Sequence, residues 1–188
     1  MNQFIQQNCK IFSNRLVTEH NSVEFEHDVV TGMAGDEIPA YIKKNHIDLV
    51  IMGRRGEHDA LDKFLGSVST AVIDHAECPV LLIPQQSRFE NIRNICFSVG
   101  SQSHFKLFMD YVMYWAELFR SSIHFVHVDH LQKDGEQIFD QIRERLKSQS
   151  KIPIDYKFAN LKGENITQEI NQYSEQHSID LIITIHKK

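Results

Sequence analysis

Apolar residues in this chain fall into short dense runs separated by stretches of helical spacing. Asn2 to Thr18 carries Phe4, Ile5, Ile11, Phe12 and Leu16 at intervals that suit an amphipathic helix. VEFEHDVV, from Val23 to Val30, alternates as a strand does, and a short helix is expected over Asp36 to Lys44, with Pro39 in its first turn. The runs IDLVIM and PVLLIP then bracket a helix that begins with SVSTAVIDHA. Helix, strand, helix, strand, helix, strand is the alternation of a parallel α/β sheet.

A polar segment, QQSRFEN at 85–91, follows Pro84, and beyond it the rhythm restarts. Strands are expected at Ile92 to Val99, Ile123 to Val128, Pro153 to Ala159 and Ile179 to Ile185. Helices are expected at His104 to Arg120, Gly135 to Ser148 and Glu164 to His177. Two passages echo one another about 130 residues apart: HIDLVIMGRRG from His46 and SIDLIITIHKK from Ser178. In that register Gly53 pairs with Ile185 and Gly56 with Lys188, so the second copy has lost its glycines. This gives residues 1–84 as one module with a glycine loop, 85–91 as a linker and 92–188 as a second, degenerate module.

The chemistry of the chain concentrates between the runs DLVIM and PVLLIP. Gly53, Gly56, Gly66 and Ser67 follow the spacing G-x2-G-x9-G-[ST]. A glycine loop that leaves the carboxyl end of a parallel strand and opens a helix can converge unpaired backbone N–H groups on a phosphate without a lysine. Gly53 would sit where the strand turns, Gly56 and Gly66 would admit close approach of backbone to phosphate, and the Ser67 hydroxyl would cap the helix or contact the ligand. A tight strand-to-helix connection that binds nothing uses glycine in the same way.

That spacing, set between those two strands, resembles the nucleotide-binding signature of the universal stress protein family. The resemblance implies an α/β, parallel-sheet, Rossmann-like fold of the adenine nucleotide alpha-hydrolase-like type, a three-layer sandwich of tandem or permuted modules. A complete family module is expected to have sheet order 3-2-1-4-5. In that scheme the first copy here begins at helix 2 and lacks the strands 1 and 2 that would lie between its strands 3 and 4. The second copy ends at strand 4. A fragment of a longer chain, a circular permutation in which Ile92 to Val99 and Ile123 to Val128 fill the gap, and exchange of elements between two chains are three ways to close the sheets.

By the same resemblance the phosphate half of a nucleotide site survives as Gly53, Arg54, Arg55, Gly56, Gly66, Ser67, Val68 and Ser69, with the amides of Gly66, Ser67 and Val68 as the principal contacts. ATP, with magnesium, is the implied ligand. Arg54 and Arg55 are either guanidinium forks for phosphate or solvated surface. Family strand 1 typically ends in an Asp that holds adenosine, whereas NICFSVGSQS places Gly100 there, which puts adenosine recognition in doubt. The implied function is an adenine-nucleotide-binding stress-response protein in which the ligand acts as a switch. The alternative is a nucleotide-independent scaffold that dimerises, with PVLLIP as the pairing strand because family members commonly pair there.

Catalytic signals are thin. IHFVHVDH gathers His124, His127, Asp129 and His130, but strand periodicity divides them between two faces, and a metal needs three convergent ligands. No lysine follows the glycines, and no nucleophile elbow or facing carboxylate pair is present, so at most a weak ATP hydrolysis is expected. The aromatic helix FKLFMDYVMYWAELF presents Phe105, Phe108, Val112, Trp115, Ala116 and Phe119 as one stripe, widened by Met109, Met113 and Tyr114 and expected to pack on a sheet.

Composition narrows the field further. With 41% hydrophobic and 24% charged residues and a net charge of −5, the chain is ordinary for a globular protein and lacks the basic balance that nucleic acid or a membrane surface attracts. No apolar run reaches the roughly 20 residues of a membrane span, and MNQFIQQNCK does not resemble a signal peptide, so a cytoplasmic location is expected. Cys9, Cys78 and Cys96 are too few and too scattered for a metal site or a disulfide framework, and read as packing residues.

Overall fold

A computed structural model describes residues 24, 26–54, 66–85, 87–100, 105–129, 135–149 and 154–186. The expected helix at Asn2 to Thr18 lies outside these residues. The described elements are α1 (Ala34–Asn45), β1 (Val50–Arg54), α2 (Ser67–His75), β2 (Val80–Pro84), β3 (Asn94–Ser98), α3 (Phe105–Phe119), β4 (Ser122–Asp129), α4 (Gly135–Gln149), β5 (Tyr156–Lys162), α5 (Ile166–Gln176) and β6 (Leu181–Ile183). They form two parallel sheets, one of order β1-β2 and one of order β5-β4-β3-β6.

In the larger sheet β4 is the most buried strand, with every residue from Ile123 to Val128 inside, as expected where a parallel strand has helices over both faces. Ile95, Phe97, Ile123 and Phe125 point to one face and pack with Met109, Val112, Met113 and Ala116 of α3 and Ile138, Phe139, Ile142 and Leu146 of α4. Cys96, Val126 and Val128 point to the other, where Ile170 and Tyr173 of α5 cover them. This is a three-layer sandwich. Arg143 fastens α4 to the sheet edge by lying 4.6 Å over the Phe158 ring while it pairs with Asp140 at 2.6 Å. The stripe of α3 that enters the core is Met109, Val112, Met113 and Ala116, all within the expected broad stripe, while Phe108 and Tyr114 of that stripe lie at the surface. Strand β5 begins three residues later than its apolar run suggests.

The smaller sheet is covered on one face by α1 and α2, whose buried residues Ile42, Val72 and Ala76 pack on Val50, Met52 and Val80. Gly35 of α1 lies so near α2 that a Cβ there would come 3.1 Å from the Ala71 Cβ. Both helices therefore depend on small residues at their crossing. On the opposite face Ile51 is 59% and Ile83 38% exposed.

Val50 to Arg54 pairs directly with Val80 to Pro84, the adjacency that strands 4 and 5 have in the order 3-2-1-4-5, and the larger sheet's β5-β4-β3-β6 matches ranks 3-2-1-4. Three expectations about this half need correction. Strands β3 and β4 pair with β5, β6 and each other, not with β1 or β2, so they do not complete the smaller sheet by permutation. Residues 24 and 26–30 form no strand and are exposed, because no neighbouring strand offers them a ladder. Pro39 is the sixth residue of α1 rather than a first-turn residue, because the helix starts two residues earlier than its acidic pair Asp36 and Glu37 suggests.

Three helices end in the same way. His46, Arg120 and Ser178 adopt left-handed backbone, with φ of 52°, 55° and 50°. The next amide in each case returns to a carbonyl five residues earlier: Ile47 to Ile42 at 3.1 Å, Ser121 to Ala116 at 2.8 Å and Ile179 to Ser174 at 2.9 Å. His46 and Ser178 are also the first residues of the two echoing passages, so the echo carries a shared backbone turn as well as shared residues.

Candidate functional site

The site grows out of the junction of β1 and α2. Strand β1 runs through Gly53 to Arg54, with Gly53 opposite Ile83 and Arg54 opposite Pro84. Gly53 is therefore a strand residue and not the turn expected of it. Pro84 has no N–H to offer a further rung, so the ladder stops where the chain departs toward α2. The Arg54 side chain and all of Arg55 and Gly56 lie outside the described residues.

Gly66 is the residue before the first turn of α2, with φ −58° and ψ 154°. Its carbonyl accepts from the Thr70 amide at 3.0 Å, which makes Gly66 the capping residue in place of the expected Ser67. A glycine cap has no side chain to fold back over the helix end, so the amides of Ser67, Val68 and Ser69, which have no acceptor within their own helix, receive no side-chain cap from Gly66. Neither backbone nor packing demands glycine at 66: its angles suit any residue, and a Cβ there would meet nothing within 4 Å among the described residues. No acidic residue lies in the first turn, so the positive end of the α2 dipole is not neutralised from within. Ser67 and Val68 are exposed, while Ser69 is buried. The structure thus gathers Gly53, Gly66, Ser67 and Val68 at one end of the smaller sheet and turns Ser69 inward.

The corresponding end of the larger sheet lies at the carboxyl ends of β3 and β6, where strand order reverses. Gly100 follows β3 there and is exposed, as the sequence places it. One contact was not legible in the sequence: His186, just past β6, lies with Nε2 2.9 Å from Asp74 Oδ1 on α2. No local spacing signals a pair so far apart in the chain.

The strand histidines divide as their period requires. His127 Nδ1 lies 2.8 Å from the Val99 carbonyl, while His124 sits on the α5 face beside Tyr173. No group of three potential metal ligands occurs among the described residues. Burial pushes the Cys96 thiol up to about 12, so at neutral pH it is a packing group rather than a nucleophile. The Cys78 thiol is raised too, by burial and then by the Asp48 carboxylate.

A parallel α/β sheet with a glycine-capped helix after the strand defines the class, a Rossmann-like fold of the adenine nucleotide alpha-hydrolase-like type. Residues 5–84 match the sequence model of the Universal stress protein family. The chain is 42% identical over 65 residues to a universal stress protein of Synechocystis sp., covering 35% of this chain and 42% of that protein. It is 31% identical over 72 residues to one of Methanocaldococcus jannaschii, covering 38% of this chain and 42% of that one. The fold as a whole superimposes on the crystal structure of a universal stress protein from Archaeoglobus fulgidus with a TM-score of 0.72 and 13% identity, over 97% of this chain and 68% of the other. A putative universal stress protein from Pseudomonas aeruginosa gives 0.63 and 14%, over 95% and 66%. The segment shared with the curated relatives spans about two fifths of their length. Through residues 5–84 this chain is thus similar to the universal stress protein family.

Proposed function

We propose that this chain is a cytoplasmic stress-response protein whose β1–α2 junction binds the phosphates of an adenine nucleotide, ATP with magnesium, as a ligand that switches its state. The observation that carries this reading is Gly66, a capping residue that neither its backbone angles nor any neighbour among the described residues requires to be glycine and that gives the amides of Ser67, Val68 and Ser69 no side-chain cap. Arg54, Arg55, Gly56 and Ser69 complete the proposed site. Magnesium bound between the phosphates would offset their charge. The residues that would hold the nucleotide are backbone donors, which suits binding better than turnover.

Residues 1–84 and 92–188, joined by 85–91, act in this reading as two modules, of which only the first retains the glycines. The shared helix stop at His46 and Ser178 supports their common origin.

Thermal unfolding of the full chain against ATP and magnesium tests the proposal. A ligand at 100 times its Kd stabilises by about 2.7 kcal/mol, which appears as a saturable rise in Tm. Gly66→Val should keep the fold, because its backbone angles suit a branched residue and the Cβ direction is open, and should abolish the rise. A rise that survives this substitution would move the ligand away from α2.

A second reading is favoured by the bare sheet face. A two-stranded sheet is marginal alone, and β1–β2 exposes Ile51 and Ile83 opposite its helices. Homodimerisation through this sheet, independent of nucleotide, would cover them. If it operates, Ile83→Lys lowers the mass in sedimentation while leaving any ATP response intact.

A further inference from the structure

We propose that α5 is a pH-sensitive latch: protonation of His124 under mild acid releases this helix from the larger sheet. His124 stands in the middle of β4, 1% exposed, between Cys96 of β3 and Lys157 of β5 in the sheet register. Its Nδ1 lies 3.0 Å from the Tyr173 hydroxyl of α5, and its Nε2 is buried with no hydrogen-bond partner. In a neutral ring one nitrogen carries hydrogen and the other is an acceptor, so a single unpartnered nitrogen is tolerated at modest cost. An imidazolium carries hydrogen on both. Its Nε2–H would then be a charged donor without an acceptor inside the protein, the arrangement that folded chains most consistently avoid.

The surroundings offer little relief to that charge. Facing His124 are the Lys157 ammonium on β5, the His177 ring just beyond α5 with its centroid 5.6 Å away, the Tyr173 ring on α5 at 5.8 Å and Cys96 on β3. Asp155, ahead of β5, is the one carboxylate among them, and its favourable effect is the weakest of those acting on His124. Burial, Lys157 and His177 together hold the His124 pKa below the usual histidine range.

The sign follows directly. The unfolded chain, or a chain with α5 undocked, takes up the proton more readily than the docked form. The contribution of docking is therefore complete above about pH 6.5 and is lost progressively as pH falls from there through the lowered docked value. The element most affected is α5, because it supplies Tyr173 and lies against His177, and because only Ile170 and Tyr173 of its residues are buried. The larger cluster on the opposite face does not include His124 and holds β3, β4, α3 and α4 together without it.

Amide hydrogen exchange of the full chain at about pH 7.5 and about pH 5.5, corrected for intrinsic rates, reads the latch. Protection of 166–176 should fall by about threefold or more at the lower pH while that of 138–146 changes little. His124→Phe, which fills the same space with a ring that cannot charge, should remove this pH dependence. Equal loss in both helices, unchanged protection of 166–176, or the same pH dependence in a folded His124→Phe variant would overturn the proposal. Where that variant fails to fold, the His124 ring is titrated by NMR in the unsubstituted chain. Proton uptake that coincides with exposure of the α5 amides supports the latch, and uptake with α5 still protected overturns it.

Discussion

Among the described residues the β1–β2 sheet rests on three buried ones, Ile42, Val72 and Ala76, whereas one face of the β5-β4-β3-β6 sheet alone has thirteen, from Ile95 to Leu146. The half that carries the glycine loop thus shows the thinner described core, and the half with the thicker one has no such loop. The proposed site and the larger described core fall in different parts of one chain. A site on a thin core gains most from anything that binds it, since any ligand selective for the folded form adds its own free energy to a small intrinsic one.

The largest test of this contrast is a pair of truncations. Phe125→Ala removes a fully buried ring that stacks on Phe158 at 5.3 Å between centroids, and should cost about 3–5 kcal/mol. Val72→Ala removes less volume from the small cluster and should cost about 1–3 kcal/mol. Denaturant unfolding followed by hydrogen exchange distinguishes where each loss falls. The contrast breaks if Val72→Ala lowers protection of β4 as much as that of β1. Next in size is Gly35→Leu. Its Cβ would already crowd Ala71, so overpacking should cost about 1–3 kcal/mol in Tm measurements, with the ATP response weakened because α2 is displaced. Smallest is Asp74→Asn, which removes the partner of His186. Both side chains are about half exposed, and solvent screening should keep the effect below about 1 kcal/mol in denaturant titration. A larger loss would mean that the two halves stabilise one another through this contact.

Element order was legible in the sequence because periodicity is local: the runs NICFS and SIHFV must be strands and the aromatic stripe between them must be a helix. Which strand lies beside which was less legible. The direct pairing of Val50 with Val80 follows from the ranks 4 and 5 that the order 3-2-1-4-5 gives DLVIM and PVLLIP, but nothing local shows that β3 and β4 pair apart from β1 and β2. The capping role, expected of Ser67, passed to Gly66 because backbone angles, not hydroxyl chemistry, decide where α2 begins. His186 and Asp74 were invisible, being joined only by the folded chain. The reading of VEFEHDVV failed for the complementary reason, since alternation describes a strand but cannot supply its neighbour.

The three left-handed helix stops carry a consequence for engineering. A side chain in this conformation costs roughly 1–2 kcal/mol that glycine does not incur, reduced by glycine's greater freedom in the unfolded chain. His46, Arg120 and Ser178 are thus three places where the chain is held below the stability its own topology permits. Two lie in the half with the larger described core and one beside the smaller, so glycine at 46 alone would firm the half with the proposed site without altering that site.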